Sequence, residues 1–180
     1  MNKNKLKNEL LDYLKSFIFS VIVFILLINF VMIPVKVEGT SMFPTLHPDD
    51  RGFSSIFNLK NAEIHRFDIV TINFPDKILV KRVIGLPNDL IEYYGEDLYI
   101  NGEYVAEDFL DQEYVDEVIK QNGYFTQDFK YQLKEGEYFL LGDNRNNSRD
   151  SRYYGPFEKD RIYSKGIFVF WPLSDFGIKH

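Results

Sequence analysis

The sequence predicts a mainly β, antiparallel domain behind a single N-terminal apolar helix. Three observations predict it. Phe and Tyr number 17 and 12 among 180 residues, and aromatics make up 17% of the chain, a bias toward pleated surfaces that accept large flat side chains. Past residue 50 the apolar, β-branched runs are short and close on Gly or Pro, as strands do. Ahead of them, one run from Ser16 to Ile33 carries no charge. The length suits one domain with a core of its own plus that appendage.

The appendage comes first. As a helix, residues 16–33 cover about 27 Å at ~1.5 Å per residue, enough to span a bilayer core. Lys3, Lys5, Lys7 and Lys15 precede the run against Glu9 and Asp12, whereas only Lys36 and Glu38 follow closely. The positive-inside bias therefore puts residues 1–15 in the cytoplasm and residues 34–180 outside, on a single-pass transmembrane helix. A cleaved leader would have a shorter apolar core and a small-x-small exit, which Val31-Met-Ile-Pro-Val does not offer. A buried core helix would show a polar stripe, and only Ser16, Ser20 and Asn29 interrupt this run.

Strands follow. Phe67–Phe74 alternates in part and ends at Pro75, Ile78–Ile84 is β-branched and ends at Gly85, and Glu137–Leu141 ends at Gly142. Asn101-Gly102 stands between two apolar arms, Leu98–Ile100 and Glu103–Val105, and supplies the positive φ angles of a two-residue hairpin turn. Between Asp108 and Lys134 the text is acidic and aromatic with little period; a short helix or loop is expected there, and residues 106–135 read as a peripheral insertion. Ile162–Trp171 reads as a closing strand.

Composition removes several chemistries. There is no Cys, hence no thiol nucleophile, disulfide or cysteine-held metal. The three His, at 47, 65 and 180, have no ligand-like spacing, so no metal or other cofactor is expected. A net charge of −6 offers no basic face, and nucleic acid is not expected as a partner.

The stretch Gly39-Thr-Ser-Met-Phe-Pro-Thr-Leu46 sets a serine in a turn at the foot of the apolar run. Most such serines are turn residues, and a hydroxyl attacks only when a base takes its proton. His47 lies beside Pro48-Asp-Asp, and His65 lies beside Arg66; neither reads as a placed base. Lys81 stands mid-strand, with Leu79 and Val83 on its face. Burial lowers a lysine pKa toward neutrality, although a strand lysine more often reaches water or pairs with an acid. A third stretch, Gly142-Asp-Asn-Arg-Asn-Asn-Ser-Arg-Asp-Ser-Arg152, follows directly on an apolar strand, where functional groups collect. There Ser148 has a hydroxyl to orient an amine, and Asp143 and Asp150 have arginines to clamp.

In order, the anchor, SMFPTL at 41–46, KRVIGLPND at 81–89 and GDNRNNSRDSRYYGP at 142–156 resemble bacterial type I signal peptidases across essentially the whole chain, in their compact Gram-positive form. The resemblance implies a catalytic β domain of the signal-peptidase and self-cleaving-repressor type at the cell membrane, with Ser41 as nucleophile and Lys81 as general base. It implies an oxyanion site at the N–H of Ser41. Many relatives add a serine two residues earlier, where this chain has Gly39, so the second donor falls to the Gly39 backbone or the Thr40 hydroxyl. Ser148 matches the serine that bonds the lysine, and Arg82 with Asp143 and Asp150 with Arg152 match structural ion pairs. Asn88 stands where relatives often carry Gly, a change that left-handed geometry tolerates. The implied partners are secretory preproteins with small residues at positions −1 and −3, membrane lipid and the nearby translocation machinery. Met42, Phe43 and Pro44, with part of Phe168–Trp171, are read as facing lipid or the precursor. Two rivals stay open: a self-cleaving repressor domain, whose DNA-binding part is here replaced by the apolar run, and a non-catalytic anchored module.

Overall fold

A computed structural model describes residues 3–56, 63–74 and 77–179, with the side chains of residues 3–8 and 27–30 excepted. Pro75 and His180 lie outside the described residues, as do the side chains of Lys3, Lys5 and Lys7. Helix α1 covers Lys3–Val31 and passes directly into β1 (Met32–Lys36). Among the described residues no helix is long and apolar enough to cross a membrane; residues 27–30, inside the apolar run, are among those whose side chains are not described. Met32 and Ile33 belong to the strand rather than to the helix.

The following elements are β2 (Arg51–Ser55), β3 (Ile69–Phe74), β4 (Lys77–Gly85), β5 (Leu90–Tyr94), β6 (Asp97–Ile100), β7 (Glu103–Tyr104), α2 (Gln112–Asn122), β8 (Phe129–Gln132), β9 (Glu137–Leu141), α3 (Ser151–Tyr154), β10 (Phe157–Glu158), β11 (Ile162–Trp171) and β12 (Gly177–Lys179). Among the described residues they form two sheets. The larger runs β1-β2-β11-β3-β4-β9-β10, with β12 also on β11; the smaller runs β7-β6-β5-β8. Every pairing is antiparallel. The mainly antiparallel β fold expected from the sequence is therefore present.

Local chemistry sets the joints. Asn101 and Gly102 sit at φ 55° and 83° and close the β6–β7 hairpin. Asn88, at φ 71°, tolerates the left-handed conformation. Phe67 also takes a positive φ of 72°, so β3 starts at Ile69 rather than at Phe67. Helix α2 begins on the Asp111 carboxylate, which accepts from the Tyr114 N–H, and ends on Gly123 at φ 86°.

Strands β4 and β9 are largely buried on both faces. Val83 and Leu140 enter one cluster with Val70, Ile72 and Ile162. Ile84, Phe139 and Leu141 enter another with Ile91, Tyr93 and Leu98, which joins the two sheets. A third cluster, Val35, Val37, Met42, Leu46, Ile69, Val80, Ile167 and Val169, lies beneath the Gly39–Leu46 turn.

The segment 106–135, expected as a short helix or loop, holds α2 and β8. Val115, Val118 and Phe125 form a core of their own. The buried Arg145 donates to Glu107 Oε1 at 2.6 Å and to the Tyr93 hydroxyl at 2.8 Å. A buried guanidinium needs such partners, and the insertion supplies its carboxylate.

Candidate active site

The Gly39–Leu46 turn is pinned from below by two buried apolar side chains, Met42 and Leu46. It is closed by the Phe43 N–H on the Thr40 carbonyl (3.1 Å) and the Leu46 N–H on the Met42 carbonyl (2.9 Å). Ser41 stands half-buried at its head. The polar loop after β9 clasps the turn from the other side. The Asn144 N–H donates to the Ser41 carbonyl at 3.1 Å, Asn144 Nδ2 to the Thr40 carbonyl at 3.1 Å, and Asn147 Nδ2 to Thr40 Oγ1 at 2.8 Å. Gly142 makes the approach possible: a Cβ there would strike the Ser41 carbonyl oxygen and the Ser148 hydroxyl.

Strand β4 brings Lys81 to this turn. Its side chain is 2% exposed, and Nζ lies 2.7 Å from Ser41 Oγ and donates to the Val80 carbonyl at 2.8 Å. Burial lowers its pKa from 10.5 to about 8; the carboxylates of Asp150 and Asp143 push back, and Lys77 and Arg152 lower it a little further. An amine with this pKa is neutral in about one molecule in ten at pH 7, against about one in three thousand in water.

The expected ion pairs frame the pair. Arg82 Nε and Nη2 donate to Asp143 at 2.9 and 2.7 Å, and Thr45 Oγ1 donates to the same carboxylate at 2.6 Å, which fastens the turn to the pair. Arg152 Nε and Nη2 donate to Asp150 at 2.9 and 2.8 Å. Burial alone would raise the Asp150 pKa, but Arg152 and the Gly142 N–H outweigh it and hold the group ionised at lower pH. Ser148 lines the same cleft as Ser41, Lys81 and Leu79, a space of about 460 Å³. Its Oγ is buried without a hydrogen-bond partner of ordinary geometry, although its hydroxyl adds slightly to the stabilisation of ionised Asp150.

Other expectations divide. Met42 faces neither lipid nor precursor: it is 1% exposed in the cluster with Val35, Leu46 and Val169, because the turn needs an apolar anchor. Phe43 is half-buried, edge-on to His47 at 5.2 Å and to Tyr114 at 5.0 Å, and Pro44 is also half-buried. Phe170 and Trp171 are exposed. His47 has two carboxylate neighbours, Asp50 from the adjoining Pro48-Asp-Asp and Asp175, which its sequence context did not suggest. Thr45, Asn144 and Asn147 escaped sequence reasoning, although each sits inside a stretch read as functional; a polar loop at a strand end was the only signal.

A buried, partly neutral amine at hydrogen-bond distance from a serine hydroxyl is the apparatus of a serine-type hydrolase. The family described as signal peptidase, peptidase S26, matches residues 10–171, and the chain belongs to the signal peptidase I family. It is 39% identical over 173 residues to signal peptidase I S of Bacillus subtilis, covering 94% of this chain and 93% of that one. It is 32% identical over 183 residues to signal peptidase IB of Staphylococcus aureus, covering 95% and 94%. A crystal structure of a signal peptidase I from Enterococcus faecalis is similar with a TM-score of 0.53 and 36% identity, over 58% of this chain and 97% of that one. The chain is therefore an enzyme of the family that removes signal peptides from secretory preproteins, by serine-protease chemistry.

Proposed function

We propose that this chain is a membrane-anchored endopeptidase working through a Ser41/Lys81 dyad and an acyl-enzyme. The observation that carries the reading is the 2.7 Å approach of Ser41 Oγ to the buried Lys81 Nζ. Neutral Lys81 accepts the Ser41 proton as Oγ attacks the scissile carbonyl carbon. The tetrahedral intermediate collapses with cleavage of the C–N bond, and the ammonium returns its proton to the leaving amine. The same amine then takes a proton from water, which attacks the ester and frees Ser41. The developing oxyanion is met by the Ser41 N–H and a second donor from the Gly39–Thr40 unit. Ser148 receives the third N–H of the protonated lysine, and Arg82–Asp143 and Asp150–Arg152 hold the two loops in register. Leu79 and Tyr154, which line the cleft, favour small residues at positions −1 and −3 of the preprotein.

Residues 16–33 cross the cell membrane once, with residues 1–15 cytoplasmic and the β domain on the far side, close to the translocation machinery. Support comes from the uninterrupted apolar run and from its described side chains, such as Phe17 at 67% and Phe24 at 62% exposure, which need an apolar solvent. The end of β11 and the segment through β12 present Phe170, Trp171, Phe176 and Ile178, all exposed, and rest on lipid or on the precursor's apolar segment.

The test is cleavage of a purified preprotein in detergent from pH 6 to pH 10 by wild type, Ser41→Ala and Lys81→Ala. The expected result is one cut after a small residue, a rate that rises to a plateau near pH 8 to 9, and no activity in either variant. Substantial cleavage by Lys81→Ala would refute the dyad.

A further inference from the structure

Three residues outside the dyad converge at the far end of the nucleophile turn. His47 and Asp50 lie in the bend between that turn and β2, and Asp175 lies in the helical turn Leu173–Asp175 between β11 and β12. One donor atom from each falls within 4.8 Å of the other two. Their polar atoms are poorly served by the protein. Asp50 is fully buried; Oδ2 accepts the His47 N–H at 2.8 Å, but Oδ1 is buried with no hydrogen-bond partner, and so is His47 Nδ1. His47 Nδ1 faces Asp175 Oδ1 across 3.5 Å, too long for a strong bond. Among the described residues, the Asp175 carboxylate has weak company besides, Ser174 Oγ at 3.4 Å and Lys179 Nζ at 3.9 Å. The Phe43 ring packs edge-on against the imidazole and fixes its plane. Orphaned buried polar atoms are costly, and an imidazole nitrogen beside two carboxylates is a donor set with a natural occupant.

We infer that His47, Asp50 and Asp175 bind one divalent transition cation of the Zn²⁺ or Mn²⁺ class. One imidazole nitrogen and two carboxylate oxygens suit borderline Zn²⁺, and the two carboxylates also suit the harder Mn²⁺, whereas Mg²⁺ and Ca²⁺ prefer oxygen throughout. Asp175 is the more open of the two carboxylates, its side chain 18% exposed against a fully buried Asp50. Nothing in the cluster reaches Ser41 by a hydrogen bond among the described residues, and the ion's role is structural: it ties the end of the nucleophile turn to the Leu173–Asp175 turn, which otherwise meet through weak contacts. The sequence hides this site because Asp175 is remote in the chain from His47 and Asp50.

The experiment is calorimetric titration of the full chain, in detergent after chelation, with ZnCl₂, MnCl₂ and, as a hard-ion control, MgCl₂. Melting is followed with and without each metal. Because His65 stands near Glu63 and Asp68, His65→Ala is the reference that removes a rival imidazole. Expected are one Zn²⁺ per chain with micromolar or tighter affinity in wild type and His65→Ala, a rise in melting temperature on loading, and at least about tenfold weaker binding in His47→Ala and Asp175→Asn. Equal Zn²⁺ affinity in all variants, or its loss in His65→Ala alone, would overturn the inference. So would a metal-free Asp175→Asn protein that melts lower while wild type ignores Zn²⁺, because the three side chains would then serve only as a direct contact between the two turns. Far-ultraviolet circular dichroism of each variant checks that lost binding is not lost fold.

Discussion

Replacing Lys81 by Met keeps an unbranched side chain of similar length and removes the titration. The lysine pKa is 10.5 in water and about 8 in the folded chain. Between these values the unfolded chain binds more protons than the folded one, so this group makes stability rise with pH. The penalty for burying the ammonium is present in full below about pH 8 and fades as the pH climbs through about 10.5. At about 1.4 kcal/mol per unit, it amounts to about 3 kcal/mol at pH 7 and about 1 kcal/mol at pH 10. A thioether in its place carries no such penalty. The variant loses the contacts to Ser41 Oγ and the Val80 carbonyl, whose cost changes little with pH. The stability of Lys81→Met relative to wild type is therefore expected to fall by about 2 kcal/mol between pH 7 and pH 10. For a domain of this size that moves the difference in melting temperature by about 4–8 °C. Paired circular dichroism melts in detergent read it, and subtraction cancels every group the two chains share. A difference that stays constant across this range would refute the reasoning, because Lys81 would then titrate in the fold as it does in water and could not serve as a neutral base.

Gly142→Ala places a methyl against the Ser41 carbonyl and the Ser148 hydroxyl, and a nucleophile moved by a fraction of an ångström should lower kcat/KM by about 10- to 100-fold, measured on a fluorogenic peptide with the melting temperature as control. Glu107→Gln leaves the buried Arg145 without its carboxylate and is expected to cost about 3–5 kcal/mol in denaturant unfolding. It should also lower activity, since Arg145 Nε holds the Gly142 carbonyl. Phe170→Asp with Trp171→Asp alters exposed side chains; cleavage of a membrane-embedded preprotein should fall severalfold while cleavage of a short soluble peptide and the melting temperature stay as in wild type.

The legible part of this fold was the part written in short-range code. Asn101-Gly102 announced its hairpin, and the β-branched text around Lys81 announced a strand. Ile162–Trp171 came through with its observed bounds because nothing inside it signals a stop, although Gly166 at φ 70° shifts its register. Lys81 was legible from its own strand only as a candidate, since Leu79 and Val83 share its face but a strand lysine more often reaches water; the resemblance singled it out. The rest depends on pairings between distant segments. Strand β2, with Gly52 and two serines, has little apolar text; its place is set by the close approach of Gly52 to the Phe168 backbone and by Ser54 Oγ donating to the Gly166 carbonyl at 2.6 Å. Residues 106–135 read as a surface insertion because acidic text usually is one, yet Glu107 is the counter-ion of a buried arginine. Met42 read as outward-facing because it adjoins the nucleophile, and no local pattern shows that a tight turn alternates its faces.

Helix α1 gives way to β1 between Val31 and Met32 with no intervening linker, β1 is zipped to β2 from Met32 to Lys36, and Ser41 follows within a few residues. There is no slack between shaft and blade. If the shaft is held by a bilayer through residue 33, as proposed, the nucleophile's height above that surface is set by the last three residues of β1, about 10 Å at ~3.3 Å per residue, and by the turn that follows, not by a flexible tether. The chain then works as a gauge: a precursor is cut where its peptide bond arrives at that height, and precursors whose small residues lie too near the membrane or too far from it pass uncut.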